Sequence, residues 1–287
     1  MKRVAVIGAG TMGHGIAQVA AMGGYDVALT DANPGVLEPA LERISANLTG
    51  GVERGKIAAV DAEAAMARLR LATCVEEAAG GADLAIEAII ERLDAKQALF
   101  RRLDQVVRPD TVLATNTSSL SVAAIAAATS RPERVIGMHF FNPVHLMKLV
   151  EVVTHETAAP PIVQAAVDAA RRMGKEPIVV RDSPGFASSR LGVVLGLEAM
   201  RMLEQGVATA VDIDKAMELG YGHPMGPLRV SDLVGLDVRL AIAEYLHQQF
   251  KSPLYEPPAI LREKVRAGEL GKKTGKGFYE WPKAKPS

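Results

Sequence analysis

Arg3-Val4-Ala5-Val6-Ile7-Gly8-Ala9-Gly10-Thr11-Met12-Gly13 opens the chain as a short apolar run that feeds directly into three spaced glycines. The apolar run predicts a buried strand, and residues 11–22, rich in alanine and free of proline, predict a helix. A GxGxxG pattern between a strand and a helix has a mechanical reading. Gly8 permits the tight turn, Gly10 lets backbone approach a pyrophosphate, and Gly13 lets the helix close on the strand. The phosphates then sit on the helix N-terminus, at Thr11 and Met12. The next predicted strand, residues 26–30, runs into Asp31, eighteen residues after Gly13. A carboxylate there accepts hydrogen bonds from an adenosine ribose and repels a 2′-phosphate, which favours NAD over NADP.

Working outward, strands are predicted at residues 3–7, 26–30, 83–88, 111–115, 134–140, 149–154 and 177–181. Helical stretches fall between most of them, at 11–22, 36–48, 95–107 and 161–173. Such alternation predicts βαβ units and a mostly parallel sheet, an α/β fold of Rossmann type. The connection between 134–140 and 149–154 contains Pro143 and is too short for a crossover helix, so those two strands should pair antiparallel. Past Arg181 the pattern changes to helices alone. Asp182 or Ser183 is expected to cap a long helix to about residue 205, with Pro184 in its first turn. Thr209 and Asp212 start a short helix, residues 227–250 form another, and 258–267 a last one. The expected organisation is an α/β domain at 1–183 and an all-helical domain at 184–287.

The 33 basic and 33 acidic residues cancel, which removes a global electrostatic case for nucleic acid or an acidic membrane. No apolar run approaches the roughly 18 residues that span a bilayer. A single cysteine, Cys74, forms no intramolecular disulfide and no cysteine-rich zinc site, so a reducing, cytoplasmic setting is expected. Cys74 lies outside every motif. No histidine cluster has metal-ligand spacing, and no metal is expected.

Gly50-Gly51-Val52-Glu53-Arg54-Gly55-Lys56-Ile57 nearly fits a phosphate-binding P-loop, but Ile57 replaces the magnesium-binding hydroxyl and no strand precedes it. It is rejected as a triphosphatase signature, although Arg54 and Lys56 remain candidates to meet an anion. Asn116-Thr117-Ser118-Ser119-Leu120 closes a predicted parallel strand, where ligands of open α/β sheets bind; Ser119 or Ser121 also suits a helix cap. His139-Phe140-Phe141-Asn142-Pro143 ends another strand. A hairpin centred on His145 sets His139 opposite Glu151. A carboxylate beside an imidazole fixes its tautomer and favours the imidazolium, which makes a good general base. The other histidines are read as structural, with His14 lining the cofactor cleft.

Taken together, these residues resemble the L-3-hydroxyacyl-CoA dehydrogenase family, specifically its stand-alone 3-hydroxybutyryl-CoA dehydrogenase type. The resemblance spans nearly the whole chain through residues 8–17, 87–91 (EAIIE), 114–120, 137–143 (GMHFFNP), 148–152, 183–190 (SPGFASSR), 220–237 and 271–279 (GKKTGKGFY). It implies an NAD-binding domain, a helical domain that forms a homodimer, and an acyl-CoA substrate. By the resemblance His139 is the catalytic base, Glu151 the carboxylate that orients it, and Ser118 a hydrogen-bond partner of the substrate oxygen. Asn142 belongs to the nicotinamide and substrate side, with Asn116 beside the cofactor; Asp31 binds ribose, and Glu91 and Lys96 add cofactor contacts. Lys56 falls loosely where the family meets CoA phosphates, and Lys272 or Lys273 matches a tail lysine near the cofactor. One position departs: family members commonly carry Asn where Ser189 stands. Either Ser189 acts through a bridging water, Ser188 takes over, or turnover falls. Rival readings are a dehydrogenase of free hydroxy or sugar acids and a non-enzymatic NAD sensor.

Overall fold

The computed structural model describes residues 1–282. Two compact units follow one another, the first running from Met1 through Phe186 and the second starting at Ala187.

The first unit is built on β1 (Arg3–Ile7), β2 (Asp26–Thr30), β3 (Leu69–Leu71), β4 (Leu84–Glu87), β5 (Val112–Thr115), β6 (Val135–Phe140), β7 (Leu149–Thr154) and β8 (Glu176–Arg181). They form one sheet in the order β3-β2-β1-β4-β5-β6-β7-β8. Every neighbouring pair is parallel except β6 and β7, which run antiparallel as their short connection requires. Helices α1 (Gly13–Met22), α2 (Leu37–Glu53), α3 (Ala59–Ala67), α4 (Val75–Ala79), α5 (Leu93–Val106), α6 (Val122–Ala126) and α7 (Pro160–Arg172) supply the crossovers and faces. Alternation along the strands separates two cores. Val4 and Val6 of β1 join Ile16, Leu29, Ile44 and Met138 on one side. Ala5 and Ile7 join Phe100, Leu103, Leu113 and Ile125 on the other. A parallel sheet covered on both faces needs apolar residues on both.

Three elements of this unit escape the sequence reading. Strand β3 has three residues and sits at the sheet edge, too short for a period-two signal. Helices α3 and α4 lie in short alanine-rich stretches, whereas α6 starts at Ser121, one of the two caps the sequence offered, whose hydroxyl accepts from the Ala124 N–H. The expected cap at Asp182 or Ser183 is also corrected. Asp182 instead accepts hydrogen bonds from Ser121 Oγ and the Ala123 N–H, both at 2.8 Å, and ties β8 to the start of α6. The next helix begins six residues later, so Pro184 lies in the connection and not in a first turn.

The second unit contains α8 (Ser188–Glu204), α9 (Ala210–Tyr221), α10 (Pro227–Val234), α11 (Leu236–Phe250) and α12 (Ala259–Arg266), around Val193, Leu197, Met200, Leu228, Leu236 and Leu246. The single helix expected over 227–250 is two, because Gly235 breaks it at φ +101°, a conformation open to glycine. Two buried acids organise the rest. Asp214 accepts from the Leu228 and Arg229 N–H groups, capping α10, and from the Tyr279 hydroxyl at 2.7 Å. Asp232, fully buried, accepts from the Phe278 and Tyr279 N–H groups and from Trp281 Nε1 at 2.8 Å. A Cβ on Gly277 would lie 2.1 Å from Asp232 Oδ1, so only glycine lets the C-terminal strap close on that carboxylate. Asp232→Asn puts an NH2 against at least one of those donors and should cost about 2–4 kcal/mol. Trp281 is the chain's one tryptophan, so urea unfolding followed by its fluorescence measures the loss; an unchanged midpoint would refute the strap's dependence on Asp232.

Candidate active site

The carboxyl ends of β1, β4, β5 and β6 carry the residues singled out from the sequence. Gly8 takes φ +106° and donates its N–H to Thr30 O at 2.8 Å. A Cβ on Gly13 would lie 1.6 Å from Gly8 O, so strand and helix meet this closely only through glycine. Gly10 is exposed, and a Cβ there would touch nothing within 4 Å. Space above a bare backbone is what an approaching phosphate needs. Met12, at the N-cap of α1, supplies no side-chain cap, and no acid stands in the first turn. The leading N–H groups of α1 therefore remain available to an anion.

Beside this loop lies a cavity of about 520 Å³, lined by Ile7, Asp31, Pro34, Val75, Ile89 and Leu99 among others. Apolar walls suit an adenine, and Asp31 suits its ribose. Asp31 already accepts from the Ala9 N–H at 2.7 Å and the Asn33 N–H at 2.9 Å, which fixes its carboxylate while each oxygen keeps a further lone pair. These residues fit a dinucleotide. Cys74 also lines the cavity, so the cysteine that lies outside every sequence motif is brought beside Asp31 by the fold.

A buried ionic relay supports the neighbouring loop. Glu87, fully buried at the end of β4, accepts from Lys96 Nζ at 2.5 Å, from Thr115 Oγ1 at 2.7 Å and from the Ile89 N–H at 2.7 Å. Lys96 reaches on to Glu91 at 3.2 Å. Glu91 accepts from Thr117 Oγ1 at 2.5 Å and from the Ser118 N–H at 2.8 Å. Lys96 is 1% exposed and spent on two carboxylates, so it supports the site from behind and is not placed to touch a ligand. Glu91 orients the Ser118 loop through its backbone. Glu87 went unassigned in the sequence reading; an acid terminating an otherwise apolar strand, Leu84-Ala85-Ile86-Glu87, was its signal.

Strands β6 and β7 pair His139 with Glu151 in register. His139 Nδ1 lies 2.8 Å from Glu151 Oε2, and both side chains are buried. Since an ionised carboxylate only accepts, Nδ1 carries the hydrogen and Nε2 presents its lone pair. The rings of Phe141 and Phe186 stand 4.5 and 5.8 Å from the imidazole, centroid to centroid. Asn116 Oδ1 accepts from the Phe140 N–H at 2.8 Å and locks β5 to β6 just below His139. Asn142, two residues past the strand, is exposed.

The remaining candidates are scattered. Lys56 lines a different cavity, with Met22, Gly23 and Gly24 at the far end of α1 from the glycine loop. Burial lowers the pKa of His145, and the nearby His14, Lys175 and Arg54 push it further the same way. In the second unit Ser188 and Ser189 occupy the first turn of α8. Lys273 Nζ is bound by both Asp237 oxygens at 2.6 and 2.7 Å, and Lys272 lies over the Trp281 ring.

The 3-hydroxyacyl-CoA dehydrogenase NAD binding domain matches residues 3–183, and the C-terminal domain of the same family matches residues 185–281. A probable 3-hydroxybutyryl-CoA dehydrogenase of Bacillus subtilis is 44% identical, covering 98% of both chains. A 3-hydroxyadipyl-CoA dehydrogenase of Escherichia coli is also 44% identical over 98% of this chain and 59% of its own length. The crystal structure of (S)-3-hydroxybutyryl-CoA dehydrogenase from Ralstonia eutropha superposes with a TM-score of 0.94 at 38% identity, covering 99% of this chain and all of that one. With both domains matched in order and the fold reproduced end to end, the chain belongs to the 3-hydroxyacyl-CoA dehydrogenase family.

Proposed function

We propose that this NAD-dependent dehydrogenase reversibly oxidises (3S)-3-hydroxyacyl-CoA thioesters, 3-hydroxybutyryl-CoA among them, to 3-ketoacyl-CoA, with residues 1–183 as the cofactor domain and 184–287 as the substrate and dimerisation domain. The observation that carries the reading is the buried His139–Glu151 pair at 2.8 Å, in the same unit as the glycine loop and Asp31. His139 Nε2 takes the proton of the substrate's 3-hydroxyl. Glu151 holds the imidazole through Nδ1–H and stabilises the imidazolium that results. Ser118, set by Glu91, hydrogen-bonds the same oxygen as it becomes a ketone. Bound NAD supplies the acceptor for the hydride leaving C3. In reverse, the His139 imidazolium returns its proton to the new alkoxide. Phe141 and Phe186 shield the imidazole from water.

Thr11, Met12 and the three glycines of the loop bind the pyrophosphate, Asp31 the ribose, and Asn116 and Asn142 face the nicotinamide end. Arg102, the guanidinium beside the cavity, is taken by Glu76 at 2.5 and 2.6 Å, which leaves it poorly placed for a 2′-phosphate and supports NAD over NADP. Lys96 acts through Glu91, and Ser189 faces the substrate from α8. The relatives act on a four-carbon and on a dicarboxylic six-carbon chain, so the class of thioester is common ground and the acyl group is not. Exposed Leu219 and Tyr221 on the helical unit, 83% and 78% accessible, support a homodimer. Among the described residues no helix is long and apolar enough to cross a membrane; a cytoplasmic location is our reading.

His139→Gln should lower kcat for acetoacetyl-CoA reduction by roughly 10²–10⁴-fold while NADH titration stays near wild type; near-normal turnover sinks the assignment. Ser189→Asn tests the departure at that position. We expect less than a threefold change in kcat, and a large gain would show the serine to be a defect. Alkylation of Cys74 by iodoacetamide should slow when NADH is bound, as peptide mass spectrometry reads directly; equal rates would place the nucleotide elsewhere.

A further inference from the structure

Among the described residues that line the cavity beside Asp31, Arg102 of α5 is the one cation. Its Nε and Nη2 donate to the two oxygens of Glu76 at 2.5 and 2.6 Å, a parallel pair of hydrogen bonds. Glu76 stands in the first turn of α4, with Glu77 next to it. Glu77 takes donors from the same wall: its Oε2 accepts from the Thr73 N–H at 2.7 Å and from Thr73 Oγ1 at 2.8 Å. The hydrogen bonds from Arg102 hold the Glu76 carboxyl down at about 2, so the pair is ionised and closed at neutral pH.

Stability does not account for this pair. Both side chains are about half exposed, 51% for Arg102 and 45% for Glu76, and an exposed ion pair contributes little to the fold. Its consequence lies in the cavity. Tied to Glu76, Arg102 has lost the side-on fork of Nε and Nη2 with which a guanidinium holds a phosphate, and its charge is cancelled for any third group. A 2′-phosphate on a ribose held by Asp31 would meet that carboxylate with no free cation to offset it. Asp31 and Arg102 line one cavity of about 520 Å³, which keeps a charge placed inside it within roughly a Debye length, about 8–10 Å, of both.

We infer that Glu76 determines cofactor specificity: by engaging Arg102 it withholds the guanidinium from a 2′-phosphate and so discriminates against NADP. Asp31 acts by repulsion and Glu76 by removing an attraction, and the two bear on one phosphate. Glu76 touches no cofactor atom; it is a positioning residue that works through Arg102. Released from Glu76, Arg102 is a long cationic side chain on the wall of the ribose cavity, the residue type that accommodates a 2′-phosphate in NADP-binding Rossmann sites. Specificity for NAD is then set by where a cation of α5 is held, as well as by the acid that ends β2. The inference rests on the proposed seat of the adenosine ribose at Asp31.

Acetoacetyl-CoA reduction by the full-length protein gives the readout, the ratio of kcat/KM with NADPH to that with NADH. A merely structural loss would lower both values and leave their ratio. Glu76→Gln should raise the ratio roughly tenfold, the gain of a charge-assisted hydrogen bond set against the remaining Asp31 charge. Adding Arg102→Met should remove that gain. Competition against NADH reads the same contact without turnover: 2′,5′-ADP should improve relative to 5′-AMP, from which it differs only by the 2′-phosphate, by a similar factor in Glu76→Gln. An unchanged ratio in Glu76→Gln overturns the inference. So does a gain that survives Arg102→Met, since Glu76 would then act as a bare negative charge. Asp31→Ala separates this inference from the reading beneath it. If Asp31→Ala raises KM for NADH while Glu76→Gln leaves the ratio unchanged, this inference alone falls; if Asp31→Ala leaves KM for NADH unchanged, the proposed cofactor seat falls with it.

Discussion

The buried histidine–carboxylate pair hangs on one register: β6 and β7 run antiparallel inside a sheet that is otherwise parallel, and they set His139 directly opposite Glu151. Side chains alternate across a strand, so a slip of one residue would send one partner to the other face. Three features pin the register. The connection is short, Asn116 holds the Phe140 N–H from the neighbouring strand, and Lys175 ties the loop by donating to Val144 O at 2.5 Å and Met147 O at 2.9 Å. The His139–Glu151 geometry is thus a consequence of strand pairing, with the side chains following from it.

Around that pair the charges fall into two kinds. Some are consumed by the protein itself, as in the relay from Glu87 through Lys96 to Glu91, which converts a buried ion pair into a fixed position for the Ser118 backbone. Others are left over. The uncapped start of α1 is the clearest of them. A chain whose 33 cations match its 33 anions can therefore still hold polyanions, because neutrality is reached by spending its acids inside the molecule.

Much of this was legible beforehand because its cause is local. Three strands, 3–7, 26–30 and 149–154, are read to the residue, since each is a β-branched run with a sharp stop. The His139–Glu151 facing follows from counting residues around a turn. What escaped depends on tertiary partners. Asp182 looks like a helix cap in sequence, yet the fold offers it Ser121 and Ala123, sixty residues away, and the helix starts later. Helix periodicity continues through Gly235, so the break there shows only in its backbone angle. Lys96 is a cofactor contact only by the family resemblance, and its burial shows in the fold alone. Cys74 has no motif at all and is brought beside Asp31 by folding.

The same distinction between spent and unspent charge separates support from recognition. Glu87, Asp214 and Asp232 are buried and fully engaged, and each holds backbone in place: the Ile89 turn, the start of α10, the C-terminal strap. Removing one would unfold something nearby. Arg239 is nearly as deeply buried, yet among the described residues its Nε meets no hydrogen-bond partner, and it packs beside Gly192 and Gly196 of α8.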